Sequence, residues 1–109
     1  MTITWLIVSC NSTAEASRIG NSLLKKRMAA CYDVVPKSSA FFWPPKKGKI
    51  SRAKGVFLLA STLPRHLAKA KHLVVSKHSD KIPFIGSMKI EHVNPDYYHW
   101  LTRELAPHA

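Results

Sequence analysis

The run Ile3-Thr4-Trp5-Leu6-Ile7-Val8, carried on to Cys10, restricts this chain more than any other feature. It is continuous in hydrophobicity and rich in β-branched and aromatic residues, as a strand buried on both faces requires. Such a strand belongs in the middle of a sheet. Ser12-Thr13-Ala14-Glu15 follows at once and forms a capping box, in which the Ser12 hydroxyl accepts from the Glu15 amide and the Glu15 carboxylate reaches back to the Ser12 amide. A helix therefore starts directly after the strand. Ala16, Ile19, Leu23 and Leu24 give it one apolar face, with Arg18, Lys25 and Lys26 outside. Gly20 lies near that face. An interior glycine costs about 1 kcal/mol against alanine, so its expected use is to let the helix approach the sheet closely.

The remaining pattern extends this opening. Residues 29 to 43 read as a long, interrupted strand through Cys31, Val34, Val35 and the aromatic run Phe41-Phe42-Trp43. Pro44-Pro45-Lys46-Lys47-Gly48 then marks a turn, and Ile50 to Ser61 returns as the second arm of a hairpin with a basic, protruding tip. Thr62 is the expected N-cap of a second helix, with Pro64 in its first turn. Leu63, Leu67, Ala70, Val74 and Val75 form its apolar stripe. Pro83 ends that region, Phe84 to Ile90 reads as a last strand, and Asn94-Pro95-Asp96 opens a short C-terminal helix bearing Tyr97, Trp100 and Leu101. At 109 residues the chain holds one core, so residues 1–109 form a single domain. The order is βαββαβ plus a helix, an α+β, ferredoxin-like split β-α-β with an antiparallel sheet and two helices on one face. The other face stays bare, and self-association is the economical way to cover it.

Several function classes drop out. The apolar runs fall far short of the roughly 20 residues a membrane helix needs, and the first basic residue is Arg18, so the apolar start lacks the charged region of a secretory signal. Cys10 and Cys31 make no C-x-x-C pair, which favours a reduced, cytoplasmic setting. No G-x-S-x-G elbow, phosphate-cradling glycine loop or H-E-x-x-H helix is present, and the six acids are scattered, so catalysis is not expected. Charge is the outlier: 17 Lys and Arg against 6 Asp and Glu leave +11, concentrated between residues 37 and 89. The split β-α-β fold is also an RNA-recognition fold, but Lys54-Gly55-Val56-Phe57-Leu58-Leu59 puts its one aromatic on the wrong alternation for a stacking platform. Sequence-blind binding of nucleic acid or another polyanion by Lys46, Lys47, Lys49, Arg52 and Lys54 is the alternative function.

Leu23-Leu24-Lys25-Lys26-Arg27-Met28-Ala29-Ala30-Cys31, followed by Val34-Val35-Pro36, resembles the CutA family of divalent-cation tolerance proteins. Trp43 with Gly48-Lys49-Ile50, the His78 to Pro83 segment, and Glu91-His92-Val93-Asn94-Pro95-Asp96-Tyr97-Tyr98-His99-Trp100-Leu101 extend the resemblance over nearly the whole chain. It implies a homotrimer similar to the PII signalling proteins, non-catalytic, with no obligatory cofactor, acting in metal response by binding copper or another divalent cation. By the same resemblance Cys10 and His78 are the expected metal ligands, and Phe41, Phe42, Trp43 and Trp100 the expected trimer contacts. The chain departs from the family pattern where H-P-Y-E-x-P becomes His78-Ser79-Asp80-Lys81-Ile82-Pro83, which replaces an acid by Lys81. Chemically, thiolate and imidazole suit Cu(I) or Zn(II), but two ligands alone do not complete a site.

Overall fold

The computed structural model describes residues 1–44 and 48–107. β1 (Ile3–Cys10) leads into α1 (Thr13–Lys25); β2 (Cys31–Phe42) and β3 (Ser51–Thr62) form the hairpin; a single 3-10 turn (Pro64–His66) opens α2 (Leu67–Lys77); β4 (Ile85–Ile90) and α3 (Pro95–Glu104) follow. The sheet order is β2-β3-β1-β4 with every neighbouring pair antiparallel. The split β-α-β expectation holds. β1 is indeed central, with Leu6 facing Ala60 on one side and Ser87 on the other.

Alternation along the strands divides the side chains between the two faces. Leu6, Val8 and Cys10 of β1, with Leu58 and Ala60 of β3, turn toward Ala16, Ile19 and Leu23 of α1 and Ala70 and Val74 of α2. Burying each large apolar side chain of this set contributes roughly 1.5–3 kcal/mol. Trp5, Ile7, Phe57, Leu59 and Val35 occupy the opposite face by register. α3 covers one end of that face: Leu101 and Leu105 pack with Ile3 and Leu63, and the Tyr97 hydroxyl meets Ser61 and Cys31.

Gly20 has the close-packing use its position suggests, because a Cβ there would lie 2.7 Å from the Tyr32 ring on β2. Gly55 is tighter still, with Cβ 2.6 Å from the Cys10 carbonyl oxygen, so β3 can pass the end of β1 only without a side chain. α1 ends unusually. Arg27 takes φ 57 where glycine is the common choice, and the amides of Arg27 and Met28 return to Leu24 and Leu23. The Arg27 side chain donates to the carbonyls of Glu104 at 2.8 Å and Arg103 at 3.2 Å, fastening the end of α1 to the end of α3.

The first hairpin arm is not broken as expected: β2 runs on through Pro36, and its pairing with β3 shifts register between Lys37 and Ala40. Two long arms explain the shape: the radius of gyration is 15.0 Å, against about 13 Å for a compact chain of this length. The second helix begins differently from the expectation. Thr62 stays in β3 and its hydroxyl donates to the Met28 carbonyl at 2.6 Å, so it cannot cap; entry passes through the 3-10 turn at Pro64. Val75 is 56% exposed and not part of the buried stripe. Asn94 holds the N-cap position of α3 without a side-chain cap bond.

Candidate functional site

The ends of β1 and α2 meet the first turn of α1 and bring three potential ligands together. Cys10 closes β1, Glu15 sits in the first turn of α1, and His78 follows α2. One ligand atom from each lies within 4.8 Å of the others. Both side chains expected from the sequence, Cys10 and His78, are therefore neighbours. The capping box gives Glu15 a capping role alone, and here the structure differs: its Oε1 accepts from the Asn11 amide at 2.9 Å instead of the Ser12 amide, and its Oε2 accepts from the Ser79 amide at 2.9 Å. The Ser12 hydroxyl does cap, accepting from the Glu15 amide at 3.1 Å. A capping carboxylate has two oxygens and the box uses one, but nothing local in the sequence says what the second one meets.

The cluster is buried and its hydrogen bonds assign the protons. The side chains of Glu15 and His78 are 5% and 0% exposed, and Cys10 is 1% exposed. The Asp80 amide donates to Nδ1 of His78 at 3.0 Å, so Nδ1 accepts; the Ser9 carbonyl, 2.7 Å from Nε2, can only accept, so Nε2 carries the proton. This is the neutral imidazole with both nitrogens engaged. Glu15 Oε1 lies 3.8 Å from Nε2. Burial pushes the Cys10 thiol up to about 11, the Glu15 carboxylate adds to the rise, and Lys37 opposes it. Burial also raises the Glu15 carboxyl, but the hydrogen bonds from Asn11 and Ser79 outweigh it and hold the group below its ordinary value. Asn11 completes the closure by donating from Nδ2 to Ser79 Oγ at 3.1 Å and to Asp80 at 2.9 Å.

On the far side of Cys10 a cavity of about 340 Å³ is lined by Ser9, Lys37, Phe42, Lys54 and Asp80 among others. Lys37 is fixed there, donating to Ser9 Oγ at 2.5 Å with its ammonium 4.4 Å above the centre of the Phe57 ring. Of the hairpin cations, Lys49, Arg52 and Lys54 are exposed, and Lys46 and Lys47 lie outside the described residues. Phe41 (66%), Phe42 (47%), Trp43 (68%) and Trp100 (36%) expose large apolar surface. Cys31 is half-buried, 3.0 Å from the Tyr97 hydroxyl.

Against this geometry, the family model described as CutA1 divalent ion tolerance protein matches residues 4–104. The chain belongs to the CutA1 family. The divalent-cation tolerance protein CutA of Archaeoglobus fulgidus is 30% identical over 97 residues, which cover 89% of this chain and 92% of that protein. Mouse protein CutA is 28% identical over 95 residues, 86% of this chain, and the chain spans about half (52%) of the mouse protein's length. Among solved structures, the periplasmic divalent cation tolerance protein CutA of A. fulgidus superposes with a TM-score of 0.86 at 29% identity, covering 95% of this chain and 98% of that one. The CutA1 fold is thus that of the sheet and helices described above. No helix among the described residues is long and apolar enough to cross a membrane.

Proposed function

We propose that this CutA1-family chain acts in divalent-metal tolerance by binding, without catalysis, a thiophilic metal such as copper at Cys10, Glu15 and His78, as a homotrimer in the cytoplasm. The observation that carries the reading is the convergence of one sulfur, one oxygen and one nitrogen donor within 4.8 Å in a buried corner. That donor set fits Cu(I) or Zn(II), which favour thiolate and imidazole, and does not fit Mg(II) or Ca(II), which need several oxygens. Glu15 supplies the negative charge that Lys81 removes from the His78 segment. Capture would exchange one proton for metal: the Cys10 proton would leave, while for Nε2 to ligate the His78 proton would shift to Nδ1, at the cost of the bonds to the Ser9 carbonyl and from the Asp80 amide. Affinity should therefore rise steeply with pH.

The exposed hairpin aromatics and the half-covered sheet face support self-association. Cys10 and Cys31 are free thiols, which suits a reducing cytoplasm; fractionation of intact cells tests the location. The central test is a Cu(I) titration under reducing conditions at high salt, comparing the native chain with a Cys10→Ser, His78→Ala double variant whose fold is checked by circular dichroism. Saturable binding lost in the folded variant is expected. Equal binding by both would overturn the site.

A further inference from the structure

A second cavity lies away from the metal cluster, on the helical side of the molecule. A cleft of about 410 Å³ opens between the C-terminal end of α1 and one side of α2. Met28, Ala68 and Leu73 form its apolar floor, while Lys26, Lys69 and His72 stand around it. Ser76 also borders it, but its hydroxyl is turned back onto the Leu73 carbonyl at 2.6 Å. No Asp or Glu lines the cleft, and neither Lys26 nor Lys69 has an ion-pair partner within 4.0 Å among the described residues. The surrounding helix surface offers no neutralisation: α2 contains three lysines, a histidine and no acid.

An apolar floor within a cationic rim selects its occupant. A second copy of the same cleft would set like charges face to face, so a symmetric pairing of clefts is disfavoured. A polyphosphate would satisfy the rim and leave Met28 and Leu73 in water. A neutral hydrocarbon would cover the floor and leave the cations uncompensated. The volume is in the range of small-ligand sites, roughly 300–1,000 Å³. We propose that this cleft binds a small amphipathic carboxylate, with an aliphatic tail on Met28 and Leu73 and its head group among Lys26, Lys69 and His72. The cleft lies on the side of the sheet opposite to the open face, so it stays accessible if that face is covered by other copies of the chain. Binding here is independent of the metal reading.

The test is an amide-resolved NMR titration of the full chain with octanoate, with acetate and octylammonium as comparison ligands and a Lys26→Glu, Lys69→Glu variant. Both lysines are exposed, so the variant should fold, and its own amide spectrum reports this. Octanoate should give saturable shifts confined to the end of α1 and the facing side of α2, with acetate and octylammonium at least about tenfold weaker. The variant should lose octanoate by a similar factor and gain affinity for octylammonium. Acetate binding as tightly as octanoate, octylammonium binding equally, shifts centred on the open sheet face, or an unaffected variant would each overturn the proposal.

Discussion

Cys10, Glu15 and His78 show how one buried corner sets three protonation states. Because burial and the nearby carboxylate push the Cys10 thiol up to about 11, only about one molecule in ten thousand carries the thiolate at pH 7. Alkylation of Cys10 by iodoacetamide in the metal-free chain should accordingly be very slow at neutral pH and accelerate on unfolding; mass mapping of the labelled cysteine reads this, and rapid neutral labelling of folded chain would contradict the buried environment. The fold favours the protonated thiol, so this contribution to stability is complete below the ordinary value of 9.0 and declines as pH rises from there through about 11. Glu15 runs the other way. Its carboxyl is held below the ordinary 4.5, so its contribution is present above that pH and is lost on acidification below it. Glu15→Gln leaves one of two amides, Asn11 or Ser79, without its acceptor and should cost about 1–3 kcal/mol at neutral pH. The variant's urea midpoint should also fall less between pH 7 and pH 3 than that of the native chain; parallel curves would remove Glu15 from the acid response.

At the scale of elements, local chemistry decides what a sequence discloses. α1 was legible because the capping box and the apolar spacing from Ala16 to Leu23 agree, and β1 because nothing interrupts its hydrophobicity. Thr62 misled because a hydroxyl before a proline satisfies the rule for a cap, while the carbonyl it binds belongs to Met28, far away in sequence. Glu15 as a third member of the cluster was hidden for a related reason: its second partner, the Ser79 amide, arrives only when α2 docks beside α1. The place of Gly20 on the apolar side of α1 announces close packing, whereas Tyr32 as its neighbour emerges only in the fold. Gly20→Ala should gain about 1 kcal/mol of helix propensity and lose more, since overpacking costs typically 1–3 kcal/mol and the Tyr32 hydroxyl anchors the ring to Asn21 at 2.8 Å. A net loss in chemical denaturation is expected, and Gly20→Ala combined with Tyr32→Leu should recover part of it. Arg27 has no sequence signal for its left-handed turn. Arg27→Ala keeps the unfavourable φ and deletes two bonds to the end of α3, so it should destabilise by about 1.5–3 kcal/mol.

For the whole molecule the question is how chains carrying +11 each come together. The proposed trimer would bear +33, three times the charge of one chain, and that repulsion opposes assembly. What favours assembly is apolar: Phe41, Phe42 and Trp43 at the end of the hairpin, and Val35 and Met88 on the open face, are all more than 40% exposed in the single chain. Burial of this surface gains about 25 cal/mol per Å² and does not depend on screening by salt, whereas the repulsion between exposed cations weakens once the Debye length falls to about 10 Å near 0.1 M salt. The two terms predict the direction of the salt effect. Sedimentation equilibrium should give three times the mass of one chain at high ionic strength and partial dissociation at very low ionic strength. Trp43→Glu should shift the native chain toward monomer and also lower the net charge, so dissociation in that variant would be an effect of lost apolar contact and not of repulsion. Dissociation of the native chain by added salt would show that ion pairs, not apolar contacts, hold the copies together, and would sink the assignment of the hairpin aromatics to the interface.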